Sequence, residues 1–197
     1  MNVVRFAAAT LGLAMLSGCV APVGPVQVTR FHAPELASAP RGTIAVEPAP
    51  GTDGRSLEWQ TYSLAVQRQL TLLGYREVPS GQGSQVAQMR VSRAISDPSR
   101  RSGPVSVGVG GSTGSYGSGI GLGLGINLGG GSGQQVVTEL GVMIRDRASA
   151  RSLWEGRASF AVDAKSPLAS TDLAAPKMAE ALFGGFPGQS GETIEVK

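Results

Sequence analysis

Few residues of this chain have side chains suited to chemistry. Among 197 residues there is one cysteine, Cys19, and one histidine, His32. Three features precede Cys19 in order: a positive charge at Arg5, an uncharged apolar stretch from Phe6 to Leu16, and two small residues. This is the three-part layout of an export signal. The stretch has about eleven residues and a spanning helix needs roughly 17 to 25, so the pattern predicts a signal peptide rather than an anchor.

The segment Leu16-Ser17-Gly18-Cys19 resembles the processing site of bacterial lipoprotein precursors. The resemblance implies that signal peptidase II cuts between Gly18 and Cys19 and that the Cys19 sulfur carries a diacylglyceryl group. Two or more acyl chains hold a protein stably on a membrane, at about 0.8 kcal/mol per buried methylene. Because Val20 rather than aspartate follows the cysteine, the resemblance implies the periplasmic face of the outer membrane. The alternative is an ordinary secretory signal with an incidental cysteine.

The single histidine restricts the enzyme designs open to the chain. His32 lies in a segment expected to be a tether, so no Ser/His/Asp site and no histidine or cysteine metal centre is expected in the domain. Paired carboxylates remain an option, with candidates on predicted strands at Glu47, Glu139, Glu155 and Asp163. We therefore expect a protein that is not an enzyme and that holds neither a cofactor nor a metal.

Charge argues against a nucleic-acid partner. The formal net charge is +3 and falls by one when Arg5 leaves with the signal, so there is no basic excess of the kind phosphate-binding surfaces need. Four arginines crowd one segment without interleaved aromatic side chains: Arg90, Arg93, Arg100 and Arg101. We interpret them as a solvated strand end and loop, with an anion or lipid-headgroup site as the alternative.

Composition divides the chain into three parts. We predict that residues 1–18 are the signal peptide. Residues 19–40 are rich in Pro, Ala and Val, and this composition predicts a lipidated extended tether. Residues 41–197 predict a single domain with a Gly-rich insertion at 103–133.

Periodicity within the domain predicts an α+β fold. A β-branched run at Thr43 to Glu47 is followed by a helix that Asp53 or Ser56 caps and Gly74 ends. That helix has an apolar stripe: Trp59, Tyr62, Val66, Leu70 and Leu73. Alternation predicts a strand at 87–95 and an antiparallel hairpin at 136–145 and 153–162.

A second helix and a closing strand complete the predicted domain. The helix is capped by Ser170, Thr171 or Asp172, Pro176 is expected only in its first turn, and the strand runs from Thr193 to Val196. The economical arrangement is a mixed, mainly antiparallel β-sheet with two helices packed on one face, plus a Gly-rich β-hairpin arm.

The Gly-rich insertion is the most unusual part of the sequence. No residue from 102 to 138 is charged, and this span holds 14 of the 29 glycines. The two-residue period of Gly119 to Ile126 favours a β-hairpin, and the absence of G-x-G-x-x-G in register and of G-K-[ST] argues against a phosphate cradle. A flexible low-complexity insertion is the alternative. As an uncharged β edge, the hairpin is a candidate surface for a protein partner or for membrane contact.

Several segments in order resemble the bacterial envelope lipoproteins grouped as domain of unknown function 4136. They are the lipoprotein processing site, Leu72-Leu73-Gly74-Tyr75, the Gly-rich arm, Ile144-Arg145-Asp146 with Leu153-Trp154-Glu155-Gly156, and the tail from Phe186 to Ile194. Members of that family often have Ala-Asp-Leu at the start of the strand after the first helix. This chain has Ala87-Gln88-Met89 there, which keeps the apolar alternation but lacks the acidic residue. The resemblance implies an α+β domain and a periplasmic address, and it transfers no functional residue except the lipidated cysteine.

Two functions are consistent with these features. The first is an outer-membrane lipoprotein that acts as an envelope interaction or assembly module. The second is a periplasmic carrier for a small apolar ligand held between helix and sheet by inward aromatic side chains: Trp59, Tyr62, Trp154 and Phe160. The same aromatics are also what a core of this size needs.

Overall fold

The structure of the protein is a computed structural model, and it describes residues 24–37, 41–96 and 133–197. Cys19, the Gly18–Cys19 cleavage point, the signal peptide and the expected hairpin arm up to residue 132 lie outside the described residues, so these remain predictions. The described residues form one mixed, mainly antiparallel seven-stranded sheet with two helices. The predicted α+β fold is confirmed.

The sheet has the strand order β3-β2-β4-β5-β6-β1-β7. The strands are β1 Val26–His32, β2 Thr43–Pro48, β3 Arg76–Glu77, β4 Gln85–Ser96, β5 Gln135–Asp146, β6 Ser152–Asp163 and β7 Thr193–Val196. The helices are α1 Leu57–Leu72 and α2 Thr171–Phe183, with short 3₁₀ turns at Pro34–Ala37 and Pro167–Ala169. Strand β2 runs parallel to β3 and β4, and all other neighbours are antiparallel. The predicted hairpin is the β5–β6 pair.

Strand β1 corrects the predicted tether. Residues 19–40 were expected to stand outside the domain, yet Val26–His32 lies within the sheet, between β6 and β7. Val26 and Val28 are fully buried, because the strand's inner face is covered by the helices. The domain therefore begins by Gly24 rather than at residue 41.

Helix α1 begins and ends where the sequence predicts. The Ser56 hydroxyl accepts a 3.2 Å hydrogen bond from the Trp59 amide, which satisfies one of the free N–H groups of the first turn. Gly74 stands just past the helix with φ +89°, a conformation that L-residues with a side chain rarely adopt. The apolar stripe of α1 faces the sheet and α2, with Tyr62, Val66 and Leu70 at most 1% exposed.

Helix α2 departs from the sequence prediction at Pro176. Proline was expected only in the first turn, but it is the sixth residue of Thr171–Phe183. Pro176 has no N–H to donate to the Asp172 carbonyl, and it is exposed, so water can solvate that carbonyl instead. The opposite side of the helix is buried by small and apolar residues: Ala174, Ala175, Met178, Ala179, Ala181, Leu182 and Phe183. Packing of this side outweighs the lost hydrogen bond.

Candidate functional site

The sheet has one covered face and one open face. Side chains of the inner face form the core with α1 and α2, whereas the outer face carries polar and charged side chains. One row of this outer face runs through Arg90, Gly141, Arg157 and Thr29, which are paired across four strands. Phe31 stands on the same face and is 47% exposed. The molecule thus presents a broad β surface to solvent.

The buried charge of the described domain is Arg30, which the tether prediction placed outside the fold. Its side chain turns inward from β1 and is 6% exposed. The guanidinium donates from Nε to the Leu182 carbonyl at 2.9 Å and from Nη2 to the Ala181 carbonyl at 2.8 Å. Burial lowers the pKa of Arg30, and the charge of Glu192 opposes that effect. The alternation of Val26, Val28 and Arg30 was the available sequence signal for this inward position.

The C-terminal tail covers Arg30 and the neighbouring Trp154. Gly188 has φ +83°, and a Cβ there would lie 2.7 Å from Arg30 Cδ, so glycine is required for both conformation and space. The Trp154 indole stacks on Phe183 at 5.2 Å and donates a 3.0 Å hydrogen bond to the Pro187 carbonyl. The tail therefore packs over this corner of the core, and its contacts stabilise the fold.

Arg41 and Tyr75 extend this corner. The Arg41 guanidinium lies 5.0 Å from the Phe186 ring centre and 5.6 Å from the Tyr75 ring centre, within cation–π range. Burial raises the pKa of Tyr75, while the nearby positive charge of Arg41 acts in the opposite direction. These contacts join the predicted helix end Leu73-Gly74-Tyr75 to the tail.

The candidate carboxylates are not gathered as a catalytic pair. Glu47 accepts hydrogen bonds from the Gly81 amide at 2.8 Å and from Arg147 at 2.7 Å. Glu155 forms an ion pair with Arg157 at 2.6 Å. Glu139 is opposite Ser159, which lies four residues after Glu155 on β6, so the two glutamates are about 13 Å apart along the strand. Asp163 accepts the Lys165 amide at a turn. Glycosidase carboxyl groups stand roughly 5 to 9.5 Å apart.

The four aromatic side chains proposed to hold an apolar ligand fill the core. Tyr62, Trp154 and Phe160 are at most 2% exposed and Trp59 is 8% exposed. A shallow groove of about 360 Å³ lies at the opposite edge of the sheet and is lined by other residues: Val46, Gln67, Glu77, Val78, Pro79 and Ser80. The carrier function stays a prediction, to be tested by native mass spectrometry of the purified protein.

The arginine-rich segment divides between the two faces of β4. Arg90 is exposed on the outer face, where it crosses above Gly141. Arg93 is on the inner side, 3.7 Å from Glu58, and it donates to Thr171 and to the Ala169 carbonyl. Arg100 and Arg101 lie outside the described residues. The described pair therefore does not converge on one anion.

His32 ends β1, with Nδ1 3.2 Å from the Ala33 carbonyl oxygen. Within residues 24–37, 41–96 and 133–197, no three His, Cys, Asp or Glu side chains come together in a way that could hold a metal ion. In the same part of the chain, neither helix is both long and apolar enough to cross a bilayer.

One end of the sheet brings together three points where the chain leaves the described domain. Strand β1 begins here, and a Cβ on Gly24 would lie 3.4 Å from the Ala161 carbonyl of β6. Ser96, the last residue of β4, pairs with Gln135, the first residue of β5, and Gln135 in turn pairs with Asp163, the last residue of β6. Residues 97–132 join Ser96 to Gly133 at this end, which we name the entry end.

Comparison with known proteins finds one relative of substantial length. An uncharacterised protein from Zymomonas mobilis subsp. mobilis is 30% identical over 215 aligned residues, which cover 88% of this chain and 80% of the relative. No family model matches the chain.

Similar solved structures are distant. A PDZ domain protein from Parabacteroides distasonis has a TM-score of 0.49 at 12% identity, and the match covers 95% of this chain but only 41% of that protein. The PelC dodecamer from Paraburkholderia phytofirmans has a TM-score of 0.45 at 11% identity, covering 84% of this chain and 99% of PelC. These scores assign no function to the chain.

Proposed function

The chain belongs to the same protein family as the Zymomonas mobilis relative, and we propose that it is a non-enzymatic lipoprotein, anchored through lipid on Cys19 to the periplasmic face of the outer membrane, that acts as an envelope interaction or assembly module. Membership of domain of unknown function 4136 stays a prediction. The observation that carries the proposal is the position of Cys19 relative to β1. Only residues 20–25 separate this cysteine from Val26.

The short connection between Cys19 and β1 limits how far the folded domain could stand from the membrane. Seven residue steps span at most about 25 Å when fully extended, at roughly 3.6 Å each. A lipid on Cys19 would hold the folded domain close to the bilayer rather than at the end of a long tether. The entry end would face the membrane, and the open sheet face would remain available to other envelope proteins.

The test of anchoring compares three forms of the full chain in a bacterial host. Cys19→Ala removes the acceptor sulfur, so we expect loss of acyl-chain labelling and release of the folded domain from membranes. Val20→Asp keeps the sulfur, so we expect labelling to persist while the protein leaves the outer-membrane fraction. If Cys19→Ala stays bound to membranes as strongly as the wild-type protein, the lipid anchor is excluded.

The test of the interaction role is crosslinking in intact cells. We expect the anchored protein to recover a defined envelope protein, and deletion of residues 103–133 to reduce that yield. A deletion variant that retains the fold and recovers the same proteins in the same amounts would exclude the Gly-rich segment as the contact. Recovery of no protein by either form would exclude the module itself.

A further inference from the structure

Large apolar side chains are exposed at the entry end. Leu57 is 81% exposed, Ile95 is 71% exposed and Leu173 is 49% exposed. We name these three residues the end patch. Leu57 is the first residue of α1, Leu173 is in the first turn of α2, and Ile95 is next to the last residue of β4.

Arg93 connects the three elements that carry the end patch. It lies 3.7 Å from Glu58, the neighbour of Leu57, and its Nη1 donates to Thr171 Oγ1 at 3.1 Å. Thr171 is two residues before Leu173, and Arg93 is itself two residues before Ile95 on the same side of β4. These contacts hold the starts of α1 and α2 against the end of β4.

The end patch has no cover among the described residues. Ile95 is on the inner side of the sheet, the side that the helices bury, but β2 pairs with β4 only as far as Met89, so β4 forms the edge of the sheet at Ile95. The apolar side chain thus passes beyond the core into solvent. Contiguous exposed apolar surface marks contact sites, and these three side chains stand on elements that the Arg93 contacts hold together.

The position of the N-terminal segment indicates what occupies the end patch. The described chain begins at Gly24, beside β6 at the entry end, and Cys19 is five residues earlier in the sequence. If Cys19 carries lipid, the closest surface to the entry end is the bilayer itself. A second anchoring signal of this kind, added to acyl chains, is the usual way that a peripheral protein is oriented on lipid.

Charged groups around the patch are compatible with a headgroup layer. Lys165 and Lys197 are exposed at the entry end. Of the acidic groups here, Glu58 is next to Arg93 and Asp163 accepts the Lys165 amide. Glu195 is exposed on β7, two residues before Lys197. Asp172 is exposed in the first turn of α2, where the positive end of the helix dipole stabilises its carboxylate.

We propose that the end patch docks on the lipid bilayer, with Leu57, Ile95 and Leu173 entering the interfacial layer and orienting the domain end-on. This inference rests on the proposed lipid anchor. It commits to lipid as the occupant, since the chain end that would carry the acyl group emerges at the same end of the sheet as the patch. A second copy of this chain or another protein is an alternative outcome of the test.

The test places a fluorescent reporter at single exposed positions of the full lipidated chain. Leu57→Trp and Ile95→Trp report on the patch, and Leu72→Trp is the matched control. Leu72 is 72% exposed and ends the same helix, about 22 Å from Leu57. The proteins are reconstituted in phosphatidylethanolamine and phosphatidylglycerol vesicles that contain bromine-labelled phosphatidylcholine. Wild-type emission from the buried Trp59 and Trp154 supplies the baseline.

We expect bromine to quench Leu57→Trp and Ile95→Trp strongly and Leu72→Trp no more than the wild-type protein. Acyl labelling and flotation with the vesicles are measured on the same samples. Floating, lipidated protein with no extra quenching at either patch position would overturn the docking and leave the anchor intact. Equal quenching at Leu72, or crosslinked dimers through the patch, would also overturn it. Protein without acyl chains that does not float would overturn the anchor and the docking together.

Discussion

Arg30 and Leu182 are joined by a 2.9 Å hydrogen bond from the guanidinium Nε to the main-chain carbonyl. A second bond reaches the Ala181 carbonyl, so one buried cation satisfies two acceptors in the last turn of α2. Carbonyls at a helix C-terminus lack intrahelical donors and carry partial negative charge. The contact connects the first strand of the described domain to its last helix across more than 150 residues.

Replacement of Arg30 by alanine should destabilise the fold by about 2 to 4 kcal/mol, because two buried carbonyls lose their donors. Arg157→Ala is the control. Arg157 is on neighbouring β6 with its side chain 54% exposed and paired with Glu155, so we expect a cost within about 1 kcal/mol. Urea unfolding of both variants measures the difference. Equal costs would show that the buried contact contributes no more than the surface pair.

Gly156→Ala should destabilise the core by roughly 1 to 3 kcal/mol through overpacking. A Cβ at Gly156 would meet the Trp154 ring and would lie 2.8 Å from Leu182 Cδ1. Gly141→Ala is the matched control on neighbouring β5, where the atoms nearest to the new Cβ would belong to the movable Arg90 side chain, with Nε 2.9 Å away. Thermal melting should separate the two variants. A Gly156→Ala protein as stable as Gly141→Ala would contradict the packing described here.

Truncation tests the start of the domain. A chain beginning at Gly24 keeps β1 and should fold cooperatively. A chain beginning at Pro34 loses β1 and exposes the inner edges of β6 and β7, so we expect it to lose cooperative unfolding or to aggregate. Circular dichroism with urea titration distinguishes the two. Cooperative unfolding of the shorter chain at the same urea midpoint would restore the tether interpretation.

Alkaline pH should destabilise the protein through Tyr62. Burial raises the pKa of Tyr62 from 10.0 to about 12, with the charge of Glu58 acting in the same direction. Below pH 10 the stabilising contribution is fully present, and it is lost as pH rises toward 12, because the unfolded chain ionises first. The loss is on the order of 2 kcal/mol. Tyr62→Phe should flatten the decline in unfolding free energy between pH 9 and about 11, whereas an unchanged slope would exclude Tyr62 as its source.

Acid should weaken the contact between Glu47 and Arg147. Burial alone would raise the pKa of Glu47, but hydrogen bonds from the Gly81 amide and from Arg147 bring it below its ordinary value of 4.5. The contribution is present above that value and is lost as pH falls through the lower folded pKa, and we expect about 0.5 to 1 kcal/mol. Glu47→Gln should remove this part of the acid dependence. Glu139→Gln, on the exposed outer face, is the control and should leave it in place.

Local patterns were sufficient for several elements. Ser56 and Gly74 mark the ends of α1 because capping geometry depends on a few neighbouring residues. The alternation along 136–145 and 153–162 identified β5 and β6, since each long strand has one buried face whatever its partners. The sequence also singled out Cys19, because it is the single cysteine and directly follows the apolar stretch and two small residues.

Other features depend on distant parts of the chain. Strand β1 is seven residues long and contains Arg30, and it is buried only because β6, β7 and the last turn of α2 surround it. Pro176 is accommodated inside α2 by packing of the helix's opposite side. Ile95 follows the apolar alternation of β4, but it is 71% exposed because β2 pairs with β4 only as far as Met89 and leaves the rest of β4 at the edge of the sheet.

The sequence by itself determined the α+β class, the ends of α1, the central hairpin and the one cysteine suited to lipid, because these follow from neighbouring residues. Tertiary structure alone decided that the domain begins by Gly24, that Arg30 is a core residue, and that Ile95 is exposed at the same end of the sheet. The physical reason is that burial depends on which distant surfaces meet. A pattern along one strand states which side chains share a face, but only the packed helices determine how much of that face is covered.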